Sequence, residues 1–138
     1  MQRKTPWILA AVLAAGGGAA LAQQAPVDLS AERRGLMRQQ LQAVRAIQPV
    51  AQGNGDPRSV QQQAESLVTT GQRKLTLFPP GSDRDDDRAR PEIWTDRAEF
   101  DRAGANLIAN ARRLAAASSA GDSAAFVEAF QATSAACT

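Results

Sequence analysis

The sequence predicts an all-α protein, an antiparallel four-helix bundle. Four stretches repeat apolar residues every three or four positions, short segments rich in Gly, Asn and Asp separate them, and the alternating pattern of a half-buried strand is absent. Ahead of these stretches, Arg3 and Lys4 precede an apolar run from Trp7 to Leu21, and Ala20-Leu21-Ala22 supplies small residues at the spacing of a cleavage site. Residues 1–22 are therefore expected to be a secretory signal peptide, with residues 23–138 as one exported domain. The run is short for a membrane anchor and rich in Gly and Ala.

The first helix is expected from Ser30 to Val50, after a mobile lead-in over Gln23 to Leu29. Asp28 or Ser30 caps it, because a short side-chain oxygen satisfies the free N–H groups of a helix start. Met37, Leu41, Val44 and Ile47 share one face, predicted to be its inner one, and Arg33, Arg34, Arg38 and Arg45 flank that stripe. Gly53-Asn54-Gly55 ends the segment. Asp56-Pro57 opens the second helix, as cap and first helical residue, and Leu75 closes it. Val60, Ala64, Leu67, Val68, Gly71 and Leu75 form its inner face. Gly71 marks the close approach of a neighbouring helix or flat ligand, or is a tolerated helix glycine.

Leu77 to Trp94 is expected to be non-helical, since Pro79, Pro80, Gly81 and Pro91 forbid a continuous helix. The run from Asp83 to Arg88 resembles a calcium loop in composition only. It lacks the turn glycine and terminal glutamate of an EF-hand and is read as solvated loop charge. Asp96 with Glu99 has capping-box spacing and starts the third helix, which runs to Ser119. Phe100, Ala103, Leu107, Ile108, Ala111, Leu114 and Ala115 are its predicted inner face. Gly121-Asp122 breaks the chain, and Asp122 or Ser123 caps the fourth helix. There Phe126, Phe130, Thr133 and Cys137 are spaced by four, three and four residues. That stripe directs Cys137 inward, as a packed thiol or a point of attachment.

The expected leader holds two of the 16 basic residues and none of the 14 acidic ones, so the mature chain is near neutral. No basic stripe with interleaved aromatics remains, which argues against nucleic acid. After leader removal no membrane association is expected. One cysteine makes no internal disulfide, and a chain without histidine holds no ordinary zinc site. There is no nucleophile–base–acid set and no phosphate loop, so the chain is read as a non-enzyme. Four phenylalanines and Trp94 leave residues 23–138 poor in aromatic bulk, which a flat apolar cofactor would supply.

Arg90-Pro91-Glu92-Ile93-Trp94 followed by Asp96 and Phe100 resembles the entry to the third helix in cytochrome c′, the periplasmic class II c-type cytochromes. Phe78-Pro79-Pro80-Gly81, Ala115-Ala116-Ala117 with Gly121-Asp122, the tail from Phe130 to Cys137, and Pro49-Val50 are similar to further family segments in the same order. The resemblance implies a left-handed bundle, a homodimer, and one haem c with five-coordinate iron. It also implies electron transfer or binding of small gases such as nitric oxide and carbon monoxide.

By the same resemblance Cys137 matches the first thioether cysteine. Met37 falls at the apolar position crowding the iron, Arg33 at a haem propionate with Arg34 beside it, Phe78 at an aromatic near the haem, and Glu92 in a haem-edge segment. Read on their own, Met37 and Phe78 are also core positions, and Arg33 and Arg34 exposed helix positions. The family's motif continues as Cys-x-x-Cys-His, whereas this sequence stops at Cys137-Thr138. A truncated copy is expected, lacking the second cysteine and the proximal histidine. The alternative is a haem-free periplasmic bundle that binds a partner or an apolar ligand.

Overall fold

The computed structural model describes residues 28–85 and 88–137. The expected signal peptide, most of the lead-in, and Asp86-Asp87 of the charged run lie outside them. Four long helices follow in order: α1 (Leu29–Ala51), α2 (Gln61–Leu75), α4 (Arg97–Ala120) and α5 (Ser123–Ala135). The short α3 (Glu92–Thr95) precedes α4. No strand occurs among the described residues, and none of their helices is long and apolar enough to cross a membrane.

Aspartate opens each long helix or the turn that leads into it. Asp28 accepts from the Ala31 N–H at 2.9 Å, Asp56 from Arg58 at 2.8 Å, Asp96 from Glu99 at 3.3 Å and Asp122 from Ala125 at 3.0 Å. Between the alternatives left open by the sequence, Asp28 is the cap rather than Ser30, and Asp122 rather than Ser123. Replacing Asp122 by alanine is expected to cost about 1 kcal/mol, read as a lower urea midpoint with unchanged slope.

Two segments differ from expectation. The start of the second helix is a 3-10 turn over Pro57–Val60, with Pro57 in the first turn where its missing N–H costs no ladder bond. Leu77 to Trp94 is not wholly irregular. Ser82–Asp85 forms a 3-10 turn, and Pro91 starts the turn of α3.

The core is built from Ile47, Ala64, Leu67, Ala111, Leu114 and Phe126. At an interior packing density the alanines among them let helix axes approach closely. A Cβ on Gly71 would lie 3.4 Å from Ile108 Cγ1, and one on Gly104 would overlap Leu75. Gly71 therefore lies at the close approach of a neighbouring helix, α4. Ser118 Oγ donates to Pro57 O at 2.6 Å and ties the end of α4 to the 3-10 turn.

The bundle is not equally closed on all sides. α4 packs extensively on α2 and α5, and α1 on α2, whereas α1 and α5 meet over much less of their length. Along that loose side the first half of the predicted inner stripe of α1 is exposed: Met37 is 53% and Leu41 48% accessible. Those two residues face an opening, whereas Ile47 enters the core with Val44 packed against it. Ala103 is likewise exposed.

Candidate functional site

The loose side of the bundle opens into a cleft with two adjoining lobes of about 570 and 480 Å³, a size usual for ligand sites. Met37, Arg38 and Lys74 belong to both lobes. Arg33, Arg34, Phe78, Arg90, Ile93 and Phe100 contribute to the first; Leu41, Val44, Leu107, Ala136 and Cys137 contribute to the second. The walls are apolar and the charged groups are all basic. Among the described residues no carboxylate lines either lobe.

One end of the cleft is fixed by a knot of side chains around Arg33. This residue lies one turn before Met37 on α1 and is 3% exposed. Its Nε donates to Leu77 O at 2.9 Å and its Nη atoms to Ser82 O at 3.3 Å and Ser82 Oγ at 2.7 Å. The guanidinium lies 4.4 Å from the Phe78 ring centre and 5.7 Å from that of Trp94. Phe78 meets Trp94 and Phe100 edge-on, at 6.0 and 5.0 Å between ring centres. Arg97 holds Phe78 O at 2.6 Å, and Trp94 Nε1 donates to Pro79 O at 3.1 Å. Arg33 touches the cleft, but its donors serve loop carbonyls and not the open space where a propionate was expected.

Arg34 is exposed and hydrogen-bonds Ser30 Oγ. Phe78 is buried and forms wall and core at once. Glu92 is not brought into the cleft. It pairs loosely with Arg90 at 3.7 Å, both side chains exposed, and borders a separate smaller hollow.

Cys137 also departs from expectation. α5 ends at Ala135, so the residue leaves the helical path and is exposed, not packed beside Phe126 and Phe130. It still borders the second lobe, and partial burial there raises the thiol pKa above its ordinary value, while Lys74 acts in the opposite sense. Alkylation of Cys137 is therefore expected to show a thiolate midpoint above that of an unhindered cysteine. Lys74→Gln should raise it further, measured as labelling rate against pH.

Lys74 was not singled out from the sequence. It follows buried Leu67 by seven and buried Thr70 by four positions, so helical periodicity points it inward. Its Nζ donates to Gln40 Oε1 at 3.1 Å and contacts Met37 Sδ at 3.5 Å. Burial lowers its pKa, with a weaker opposing influence from Cys137.

The donor chemistry of the cleft can be set against a haem. Apolar walls suit the ring, Arg34 and Arg38 suit its carboxylates, and Cys137 can form one thioether. An imidazole for the iron is missing from the 138 residues, and no cluster of His, Cys, Asp or Glu among the described residues could hold a metal. The fit is thus to the porphyrin, its carboxylates and one attachment point.

Known proteins agree with this geometry. The family model described as Cytochrome C′ matches residues 28–138. A cytochrome c′ from Rhodopseudomonas palustris (strain ATCC BAA-98 / CGA009) is 31% identical over 106 residues, covering 75% of this chain and 70% of that protein. Among solved structures, the nitric oxide complex of a mutant cytochrome c prime from Alcaligenes xylosoxidans superposes with a TM-score of 0.73 at 28% identity, covering 80% of this chain and 87% of that one. Cytochrome c′ from Rubrivivax gelatinosus gives 0.70 at 25% identity, over 79% and 88%. With a family match spanning all four long helices and the cleft between them, the chain belongs to the cytochrome c′ family, whose cofactor is haem c.

Proposed function

We propose that this chain is an exported, non-enzymatic haem protein that transfers electrons or binds small gases such as nitric oxide and carbon monoxide. The observation that carries the reading is the apolar cleft, rimmed by basic residues, that opens between α1 and α5 and is bordered at one end by Cys137. When bound, a haem supplies a redox-active iron able to take up an electron or a neutral diatomic ligand.

The chain's own residues then have distinct tasks. Cys137 Sγ tethers the ring at the α5 end. Arg34 and Arg38 face its carboxylates with charge-assisted donors. Phe78 closes the far wall. Arg33 keeps that wall in place by holding Leu77 and Ser82. Met37 crowds the ligand side, excluding water and larger molecules while admitting a neutral gas. Glu92 stays outside this contact set. A homodimer would bury the groove between α1 and α2, where Gln63 Oε1 lacks a hydrogen-bond partner within the chain.

The test extends the chain past Thr138 by one residue, Cys and His, and produces it with haem-attachment machinery. A Soret band that survives acid–acetone extraction is expected. A folded, colourless product would refute the reading. In the haem-loaded protein, Met37→Ala is expected to speed or tighten carbon monoxide binding, followed by flash photolysis. Unchanged kinetics would remove Met37 from the crowding role.

A further inference from the structure

Among the described residues the charge of the cleft is one-sided, and Lys74 differs from the other cations in it. Arg34, Arg38, Arg88 and Arg90 are exposed at its mouth and buried Arg33 is committed to Leu77 and Ser82, whereas Lys74 is half-buried where the two lobes join. Its ammonium has three N–H donors, and its recorded contacts, Gln40 Oε1 and Met37 Sδ, are both neutral. It forms no ion pair among the described residues. A partly desolvated cation without a counter-charge is unfavourable and attracts one. Burial lowers the Lys74 pKa, and Cys137 acts in the opposite sense.

We propose that Lys74, oriented by Gln40, forms an anion subsite at the junction of the two lobes, against the apolar wall of Met37, Leu41 and Leu107. Two sources present the required chemistry: a carboxylate of a bound porphyrin, or a free small anion. The proposal rests on the haem reading only in the first case. In the second it makes the ligand side of the cleft receptive to anions as well as to neutral gases.

The experiment titrates the full chain with iron-free protoporphyrin, a dicarboxylate, and with its dimethyl ester, followed by porphyrin fluorescence. A separate titration uses sodium azide, followed by the Gln40 side-chain amide signal in NMR. Wild type is compared with Lys74→Gln, Lys74→Arg and Arg73→Gln. Arg73 is the adjacent cation, exposed and paired with Glu32 at 2.7 Å.

Lys74→Gln is expected to lose about tenfold in affinity for the anionic probe, the scale of one charge-assisted hydrogen bond. Lys74→Arg and Arg73→Gln should stay near wild type. A wild-type preference for protoporphyrin over its ester that Lys74→Gln abolishes identifies a porphyrin carboxylate. An azide shift at Gln40 that Lys74→Gln abolishes identifies a free anion. If azide acts through Lys74 while neither porphyrin binds, the haem reading falls and the subsite stands. The subsite is overturned if wild type shows neither the preference nor the azide shift, which requires no variant to fold. It is equally overturned if folded Lys74→Gln, checked by far-ultraviolet circular dichroism, matches wild type for every probe.

Discussion

Arg33→Ala is expected to destabilise the chain by about 3 kcal/mol, since it orphans buried carbonyls whose lost partners each weigh about 1–3 kcal/mol. The side chain is 3% exposed and bridges α1 to acceptors at Leu77 and Ser82. Its removal also takes away the cation over Phe78, about 1 kcal/mol more in a desolvated setting. Ser82 Oγ keeps its own bond to Pro79 O at 2.8 Å, which limits the loss. Urea denaturation gives the magnitude. Trp94 fluorescence gives the place, because the ring meets Phe78 edge-on in the same knot and should shift to the red when Leu77 to Ser82 loosens. Arg33→Lys keeps the charge but not the planar fork and should recover only part of the loss. A variant within about 0.5 kcal/mol of wild type, the usual effect of a surface change, would mean that Arg33 is not a clamp.

Phe126→Ala should cost about 4 kcal/mol, in the range for deleting a fully buried ring. Phe126 is fully buried in the cluster with Ile47, Ala64 and Leu114. Most of its partners are small, so few large side chains are available to collapse into the space. Small domains have about 5–15 kcal/mol in total, which leaves this variant close to unfolding. Phe130 is only half-buried on the same helix, and Phe130→Ala is expected to lose less. Equal losses at the two sites would contradict the core assigned here.

These contrasts explain what the sequence could reveal. Helices, turns and aspartate caps were legible because their signals are local: a spacing of three or four, a side-chain oxygen before it, a glycine after it. Met37 and Leu41 fell on the right stripe, but an apolar stripe looks the same whether it faces a core or a cleft wall. Only the loose packing of α1 against α5 separates the two. Arg33 resembled a surface charge because its acceptors lie 44 and 49 residues away in sequence. Cys137 was misdirected because spacing predicts orientation only while the helix continues, and α5 ends before it. Lys74 was within reach of the periodicity that identified Leu67, but a basic residue in the last helical turn already has a local explanation through the helix dipole.

The central claim is that the cleft between α1 and α5 accepts a porphyrin. Titrating ferric protoporphyrin into the chain and following the Soret band tests this most directly. A saturable shift ending at one porphyrin per chain, weakened when Met37→Arg places a charge across the shared wall of the two lobes, is the predicted result. A cooperatively folded chain that leaves the Soret spectrum unchanged at every concentration would contradict it.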